Sequence, residues 1–161
     1  MVRITGVGEV KSAYELARKK YKNLPKFEDI NNEFEIIRID YPEMCLNEIR
    51  RLITHILQYF AGDMQAILSP HPQDPHSMME SAAFSKEEKQ DIYLLYKKIW
   101  YWVHKGMIDS LSYEKESAAF ISDFWKVWPS IKKDYTKMMN KVLKEWKKKP
   151  TKHKEDNAYL G

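Results

Sequence analysis

The segment from 69 to 77 combines metal-ligating side chains with residues that break secondary structure. Its sequence is SPHPQDPHS, and its three prolines predict a loop. Within it, His71, Asp74 and His76 are of the types that bind zinc or another divalent ion. A fourth ligand is missing and histidines are common in surface loops, so the alternative is an ordinary polar loop. We expect no resident metal and no cofactor.

Arg50 and His55, in the sequence RRLITH, are a second set of residues that could take part in catalysis. Their spacing resembles the R-x4–6-H signature of the HEPN superfamily, small helical dimers that include many metal-independent ribonucleases. The resemblance implies that Arg50 holds a phosphate and that His55 acts as acid or base at a ribose 2′-hydroxyl. It covers these two residues and the all-helical character, and Arg51 stands where that family usually has a small or polar residue. Because Glu48 lies on the same polar helix face, the alternative is a solvated stripe of ion pairs.

The single cysteine, Cys45, lies in the predicted first turn of a helix, where the helix dipole can lower a thiol pKa. A nucleophile also needs a neighbouring base. His55 lies about 15 Å further along the same helix, by helical rise. We therefore expect Cys45 to be a packed structural thiol. A lone cysteine cannot form an internal disulfide, which suits a reducing compartment.

Positive charge is concentrated towards the end of the sequence. From Lys126 to Lys154 there are eleven lysines and two acidic residues, a formal charge of +9, whereas the whole chain carries +4. Five of these lysines recur every three or four residues and predict one helix face: Lys133, Lys137, Lys141, Lys144 and Lys148. Such a stripe can follow nucleic-acid phosphates, but it is also typical of a solvated helix face. Because this region contains no arginine, nucleic-acid binding would be led by phosphates and nonspecific.

The five tryptophans provide large apolar surfaces. Trp102 and Trp146 fall on predicted apolar helix faces, so we expect both in the core. Trp100 falls off the apolar face of its helix. Together with Trp125 and Trp128, it predicts an exposed aromatic patch for a protein partner or for a second copy of the chain.

Apolar periodicity predicts an all-α fold. The expected helices cover 9–22, Pro42 to about Leu68, a segment behind a capping box at Ser85 and Glu88, 117–128, and Pro129 to Lys149. Four or five helices with short connections indicate an antiparallel helical bundle. The segment 34–39, FEIIRI, is either a short strand or an extended segment laid over the helices, and we favour the extended form.

Length and composition fit a single helical domain. The chain has 161 residues, 43% of them apolar and 13% aromatic, which are values of globular proteins. We expect this domain over 9–149, between a flexible lead over 1–8 and a disordered polar tail over 150–161. No apolar run is long enough for a membrane span or a signal peptide. The expected location is therefore cytoplasmic, without membrane binding.

Motifs for nucleotide hydrolysis, dinucleotide binding and dithiol redox chemistry are absent from the sequence. The leading prediction is a non-enzymatic helical protein that acts through macromolecular binding, as a homodimer or as a small subunit of an assembly. The alternative is a nonspecific nucleic-acid-binding module that uses the C-terminal lysine helix. The third possibility is a HEPN-like ribonuclease.

Overall fold

The computed structural model describes residues 7–148, and within them the chain forms six α-helices. They are α1 (Val7–Lys20), α2 (Phe27–Phe34), α3 (Cys45–Leu68), α4 (Pro75–Ala82), α5 (Lys86–Asp109) and α6 (Glu114–Trp146). Single turns of 3₁₀-helix, Ile36–Arg38 and Pro42–Met44, connect α2 to α3. The all-α prediction is confirmed, but the described part of the chain holds six helices rather than four or five.

The described residues begin inside the predicted flexible lead and end just before the predicted polar tail. Residues 7 and 8 of the predicted flexible lead already belong to α1, so the lead as predicted is too long. The remainder of that lead, 1–6, and the predicted polar tail, 150–161, lie outside the described residues. Across 7–148, none of the helices combines the length and the hydropathy needed to cross a membrane.

The predicted capping box at the start of α5 is confirmed. Ser85 Oγ accepts the backbone N–H of Glu88 at 3.2 Å, and the Glu88 carboxylate accepts the backbone N–H of Ser85 at 2.8 Å. Two otherwise unpaired donors of the first turn are thereby satisfied. The helix therefore begins where the sequence predicts.

The prediction of two helices separated at Pro129 is wrong, because α6 continues through this residue. Pro129 has no N–H to donate to the carbonyl of Trp125, a loss that often ends a helix. Phe124, Trp128 and Ile131, on both sides of the proline, are buried. Packing of both halves against one core therefore outweighs the local preference.

Residues 34–39 form neither a strand nor an extended segment, so both readings of FEIIRI are wrong. The segment contains the end of α2, then Glu35 in a left-handed conformation with φ of 49°, then a 3₁₀ turn. The side-chain oxygen of Asn31 accepts the N–H of Ile37 at 2.9 Å, so this amide needs no strand partner. Ile36 is fully buried, which explains the β-branched composition without a sheet.

The predicted loop over 69–77 is wrong at its C-terminal end, because α4 begins there. The Asp74 side chain accepts the backbone N–H groups of His76 and Ser77, and Pro75 occupies the first helical position. An N-cap aspartate followed by proline is a common helix start. Because the prolines of this segment favour a loop, the sequence pattern does not indicate this short helix.

The long helices α3, α5 and α6 form the centre of the fold, with α3 and α5 in the most extensive contact. Arg50 near the start of α3 lies against Gly106 near the end of α5, so these helices are antiparallel. Glu88 at the start of α5 pairs with Lys141 near the end of α6, so these two are also antiparallel. It follows that α3 and α6 run in the same direction.

Gly106 allows α3, α5 and α6 to approach closely. A Cβ atom at this position would clash with the Thr54 hydroxyl on α3 and would lie 3.3 Å from the Phe120 ring on α6. Trp102, predicted in the core, is buried in the same region. Trp146 contradicts its core prediction, because it is exposed and its Nε1 donates to Glu80 at 2.8 Å. It packs over α4 instead.

Candidate functional site

Arg50 and His55 line the same cavity, which has a volume of about 690 Å³ and lies between α3, the end of α5 and residues 34–40. Their environments differ. Arg50 is only 8% exposed, whereas His55 is exposed and its ring lies 4.9 Å from that of Tyr59. Within residues 7–148, no hydrogen bond joins the two side chains. We call this site the Arg50 cavity.

The Arg50 guanidinium connects three helices. Its Nε donates to Ser117 Oγ on α6 at 3.1 Å, and its Nη1 donates to the Gly106 carbonyl on α5 at 2.5 Å. Ser117 Oγ donates in turn to Asn47 Oδ1 on α3 at 2.7 Å. Desolvation lowers the pKa of Arg50, but an arginine remains charged at neutral pH. The last turn of α5 carries a negative end of a helix dipole, which favours this cation.

The other charges of the Arg50 cavity are largely paired. Arg51 forms an ion pair with Glu48 at 2.6 Å, and Arg38 forms one with Glu35 at 2.8 Å. With Asp40, the lining holds three arginines and three carboxylates, a formal charge of zero when His55 is neutral. The cavity therefore has little net attraction for a phosphate, although the motif residues lie in it.

The three candidate metal ligands, His71, Asp74 and His76, have separate structural roles. Asp74 caps α4, and His71 Nδ1 accepts the backbone N–H of Gln73 at 3.3 Å. The His76 ring stacks on Trp146 with centroids 5.2 Å apart. In the part of the chain that the structure describes, no group of three or more ligating side chains is arranged to hold a metal ion.

Cys45 is buried at the start of α3. Desolvation raises the pKa of its thiol to about 12, so the thiol is protonated at neutral pH. A protonated, buried thiol is a poor nucleophile. The structure is consistent with the predicted packing role.

The three candidate interface tryptophans do not form a single patch. Trp128 is buried, and its Nε1 donates to Glu33 at 2.9 Å. Trp125 is half-buried and shares a groove with Trp128. Trp100 lies on α5, half-buried, next to Tyr96 and with its Nε1 buried without an acceptor among residues 7–148. Only Trp125 and Trp128 therefore come together.

A shallow groove of about 960 Å³ runs along α6, and we call it the α6 groove. It combines aromatic and lysine side chains of α6 with one carboxylate from α2. The lining residues are Glu33, Trp125, Trp128, Pro129, Lys132, Lys133, Thr136, Lys137, Asn140, Lys141 and Lys144. Five lysines thus face a single acidic residue.

Three lysines of the predicted stripe have no carboxylate partner among residues 7–148. Lys133, Lys137 and Lys144 line the α6 groove, and each is exposed and forms no ion pair within residues 7–148. Lys141 is different, because its Nζ lies 2.6 Å from Glu88 Oε1 and 5.1 Å from the centroid of the Phe84 ring. A lysine without a carboxylate partner can bind a phosphate without first breaking an ion pair.

Two further lysines, one of the stripe and one of the groove, already form ion pairs with glutamates. Lys148, beyond the groove lining, pairs with Glu145 at 2.5 Å. Lys132 pairs with Glu33 at 2.7 Å. Partial burial would raise the pKa of Glu33, but hydrogen bonds from Lys132 and Trp128 lower it overall. Among the described residues that line the groove, Glu33 is the one carboxylate, and it is therefore ionised at neutral pH and already bound by two donors.

No protein-family model matches this chain, and the comparisons with curated proteins and with solved structures gave no match. The functional argument therefore depends on the site itself. Sequence reasoning found Trp125, Trp128 and four of the five stripe lysines but missed Glu33 and Lys132. Glu33 comes from α2, a helix that was not predicted, and its contacts with Trp128 and Lys132 show that it belongs to the groove.

Proposed function

We propose that the protein binds nucleic acid through the α6 groove. The observation that carries the proposal is the charge of the groove lining: five lysines against one carboxylate, a formal charge of +4, with three of the lysines unpaired in the described part of the chain. The Arg50 cavity also contains several cations, but its lining has a formal charge of zero. A polyanion is therefore attracted to the α6 groove and not to the cavity.

The free lysines suit several phosphates of one strand. From Lys133 to Lys144 the helix rises by about 16 Å, at 1.5 Å per residue. A lysine ammonium contacts a phosphate as a point charge and releases condensed counterions. Contacts of this kind carry no base sequence, so binding through them is sequence-blind.

Trp125 favours a single strand. Its half-buried indole lines the groove beside Pro129, with one part packed against the core and the remainder accessible. An aromatic ring next to a basic groove can stack an unpaired base of any identity. Bases in a duplex are already stacked and paired, so the tryptophan adds affinity only for single-stranded nucleic acid.

The proposal is for binding without catalysis. Within residues 7–148, the groove lining holds no histidine or cysteine, and its carboxylate, Glu33, is already bound by Lys132 and Trp128. A general acid or base for strand cleavage must be free to reach the bound phosphate. The ribonuclease prediction for Arg50 and His55 concerns a different surface, and the groove gives it no support.

The test measures binding of a labelled single strand of about 20 nucleotides, longer than one basic groove of this kind occupies. The critical variant replaces Lys133, Lys137 and Lys144 with Gln. Its matched control replaces Lys19, Lys22 and Lys86, which are exposed and unpaired within residues 7–148, and so changes the net charge equally. Affinity is measured by fluorescence anisotropy over a range of salt concentrations.

We expect the groove variant to bind more weakly and to show a flatter salt dependence. Three lost phosphate contacts reduce the slope of log affinity against log salt by about 2, at 0.7 per contact for a single strand. The control should keep the slope of the parent. The proposal fails if the parent does not bind at about 0.1 M salt, where the Debye length is about 10 Å, or if both variants weaken equally.

A further inference from the structure

A pocket of about 410 Å³ lies between α5 and α6, and we call it the α5–α6 pocket. Four buried apolar side chains form its floor: Phe84, Ile92, Leu95 and Met138. Around this floor lie three carboxylates and three lysines, all at least partly exposed: Glu88, Asp91, Asp134, Lys98, Lys137 and Lys141. An apolar floor below a polar rim suits a flat ring whose edges carry hydrogen-bonding groups.

The α5–α6 pocket adjoins the α6 groove. Lys137 and Lys141 line both of them. The three carboxylates line the pocket but not the groove, so the pocket lining has a formal charge of zero beside a groove lining of +4. Bases of a single strand can be turned out from the backbone and bound by their edges. A strand held by its phosphates in the groove therefore lies next to a neutral pocket that one of its bases can enter.

Two carboxylates of the pocket are free to accept hydrogen bonds. Glu88 is already bound by the Lys141 ammonium and by the backbone N–H of Ser85. Asp91 and Asp134 are exposed and have no ion-pair partner within residues 7–148. In this part of the chain, the pocket carboxylates do not form a group that could hold a metal ion. The N–H groups of an uncharged ligand are therefore the donors that these two carboxylates suit.

Among the bases, guanine fits a carboxylate best. Its Watson–Crick edge presents two adjacent donors, N1–H and the N2 amino group, which the two oxygens of one carboxylate can accept together. Adenine and cytosine place a ring-nitrogen acceptor beside their amino group, and thymine and uracil flank one N–H with two carbonyls. Each of these bases would set an acceptor against the carboxylate. The O6 and N7 atoms of guanine, in turn, accept from a lysine ammonium.

Asp134 and Lys98 are placed to bind the two edges of one base. Lys98 donates to Ser130 Oγ at 3.4 Å and keeps further N–H groups free. Ser130 precedes Asp134 by four residues, so the two lie on the same side of α6, about 6 Å apart along the helix. Asp91 precedes Lys98 by seven residues, about 10.5 Å along α5. Asp91 therefore lies too far from Lys98 to share a base with it.

We propose that the α5–α6 pocket binds a guanine base of the single strand whose phosphates occupy the α6 groove. Asp134 accepts from N1–H and the N2 amino group, Lys98 donates to O6, and the ring lies on the apolar floor. This inference rests on the proposed function, because the groove lysines hold the strand. It adds a base preference to phosphate contacts that are sequence-blind.

The first experiment compares thymine strands of about 20 nucleotides in which every fourth base is guanine, hypoxanthine, adenine or cytosine, by fluorescence anisotropy at one salt concentration. We expect the guanine strand to bind about five- to tenfold more tightly than the adenine and cytosine strands, as for one bidentate contact to a base. Hypoxanthine lacks the amino group of guanine, so its strand should lose most of this preference.

The critical variant is Asp134→Asn, and Asp91→Asn is its matched control because it removes an equal charge from the same pocket. The quantity compared is the ratio of the affinities for the guanine and adenine strands, since a change of protein charge alters both affinities alike. Asp134→Asn should abolish the preference for guanine, whereas Asp91→Asn should keep that of the parent. Circular dichroism checks that both variants retain the helix content of the parent.

The outcomes distinguish this inference from the proposed function. If the parent binds none of the strands, the groove proposal fails and the guanine site fails with it. If the parent binds all strands equally, or if Asp134→Asn keeps the preference for guanine, the guanine site is wrong while strand binding by the groove still stands.

The second experiment locates the base by methyl NMR. The ring current of a bound guanine should shift the methyl signals of Leu95 and Met138, which form part of the pocket floor. The adenine strand should leave both signals near their positions in the free protein, and Ile36, which is buried outside the pocket, is the control for general changes. A preference for guanine without these shifts would place the base elsewhere and overturn the proposal.

Discussion

The Arg50 cavity and the α6 groove are both concave and both rich in basic residues, yet they differ in how these residues are paired and in net charge. In the cavity, Arg50 is held by a helix carbonyl and a serine hydroxyl, and the other arginines are paired with glutamates. In the groove, Lys133, Lys137 and Lys144 have no carboxylate partner within residues 7–148. Pairing and net charge, not the number of basic residues, therefore distinguish the Arg50 cluster from the binding surface that we propose.

The chemistry of the two cations fits this division. The planar guanidinium of Arg50 presents donors in fixed directions, which suits a network between three helices. The ammonium of a lysine is a compact, strongly hydrated charge on a flexible stem, which suits phosphates at variable positions. A phosphate entering the Arg50 cavity would compete with existing ion pairs, whereas one in the groove would replace only water and counterions.

Removal of Arg50 should have the largest effect of any single change considered, on stability alone. Arg50→Ala leaves the Gly106 carbonyl and the Ser117 hydroxyl without their donor and should lower the free energy of unfolding by about 2–4 kcal/mol. Urea unfolding followed by circular dichroism measures this loss. Oligonucleotide affinity of the folded variant should equal that of the parent. Normal stability with lost affinity would reverse the roles assigned to the two regions.

Gly106→Ala should cause the next largest loss of stability. The added methyl group would clash with the Thr54 hydroxyl and crowd the Phe120 ring, so we expect a loss of about 1–3 kcal/mol, as in other overpacked cores. The control is Gly62→Ala on α3, where a Cβ meets no atom within 4 Å. That change should be neutral or slightly stabilising, because alanine favours a helix. Equal melting temperatures for the two variants would contradict the close approach at Gly106.

Glu33→Gln tests how far the charge of the groove controls binding. It removes the one carboxylate that lines the groove among residues 7–148 and frees Lys132, while the amide oxygen can still accept from Trp128. We expect affinity for a single strand to rise by about two- to fivefold, as for one added phosphate contact. Anisotropy at two salt concentrations measures it. An unchanged or lower affinity would show that the groove charge does not control binding.

The smallest effect should be a change in acid stability at Glu88. The hydrogen bond from Lys141 and then the bond from the Ser85 amide lower the pKa of Glu88 below its ordinary 4.5. A carboxyl with a lowered folded-state pKa stabilises the fold above pH 4.5 and loses this contribution as the pH falls through the folded-state value. Glu88→Gln should therefore reduce the difference in melting temperature between pH 7 and pH 3, measured by scanning calorimetry.

The control for this prediction is Glu87→Gln, since Glu87 is the adjacent exposed carboxylate and forms no ion pair within residues 7–148. It should keep the acid dependence of the parent. Equal behaviour of the two variants would mean that the pair between Glu88 and Lys141 adds nothing to stability.

The sequence predicts those parts of the fold that local signals determine. The apolar faces of α3 and α5 and the capping box at Ser85 follow from periodicity and from one short motif. The eight-residue helices α2 and α4 were missed because they are too short for a clear period. Pro129 is misleading because its buried neighbours, which are held by distant residues, override the local preference.

The candidate site, too, can be predicted from the sequence only where local signals determine it. The periodicity of the lysines places four of them on one side of α6, and Lys148 lies just beyond the end of the helix. Which of them remain free depends on distant partners: Glu88 lies 53 positions before Lys141, and Glu33 lies 99 positions before Lys132. No local pattern contains these pairings, so the sequence predicts the stripe but not the groove.

The most direct test of the central claim is lysine footprinting by mass spectrometry, with and without a bound single strand. Acetylation rates of individual lysines report which ammonium groups are covered. We predict that Lys133, Lys137 and Lys144 become protected in the complex, while Lys19 at the end of α1 and Lys22 just after it react at unchanged rates. Protection of Lys19 and Lys22 with no change along the α6 groove would contradict the account.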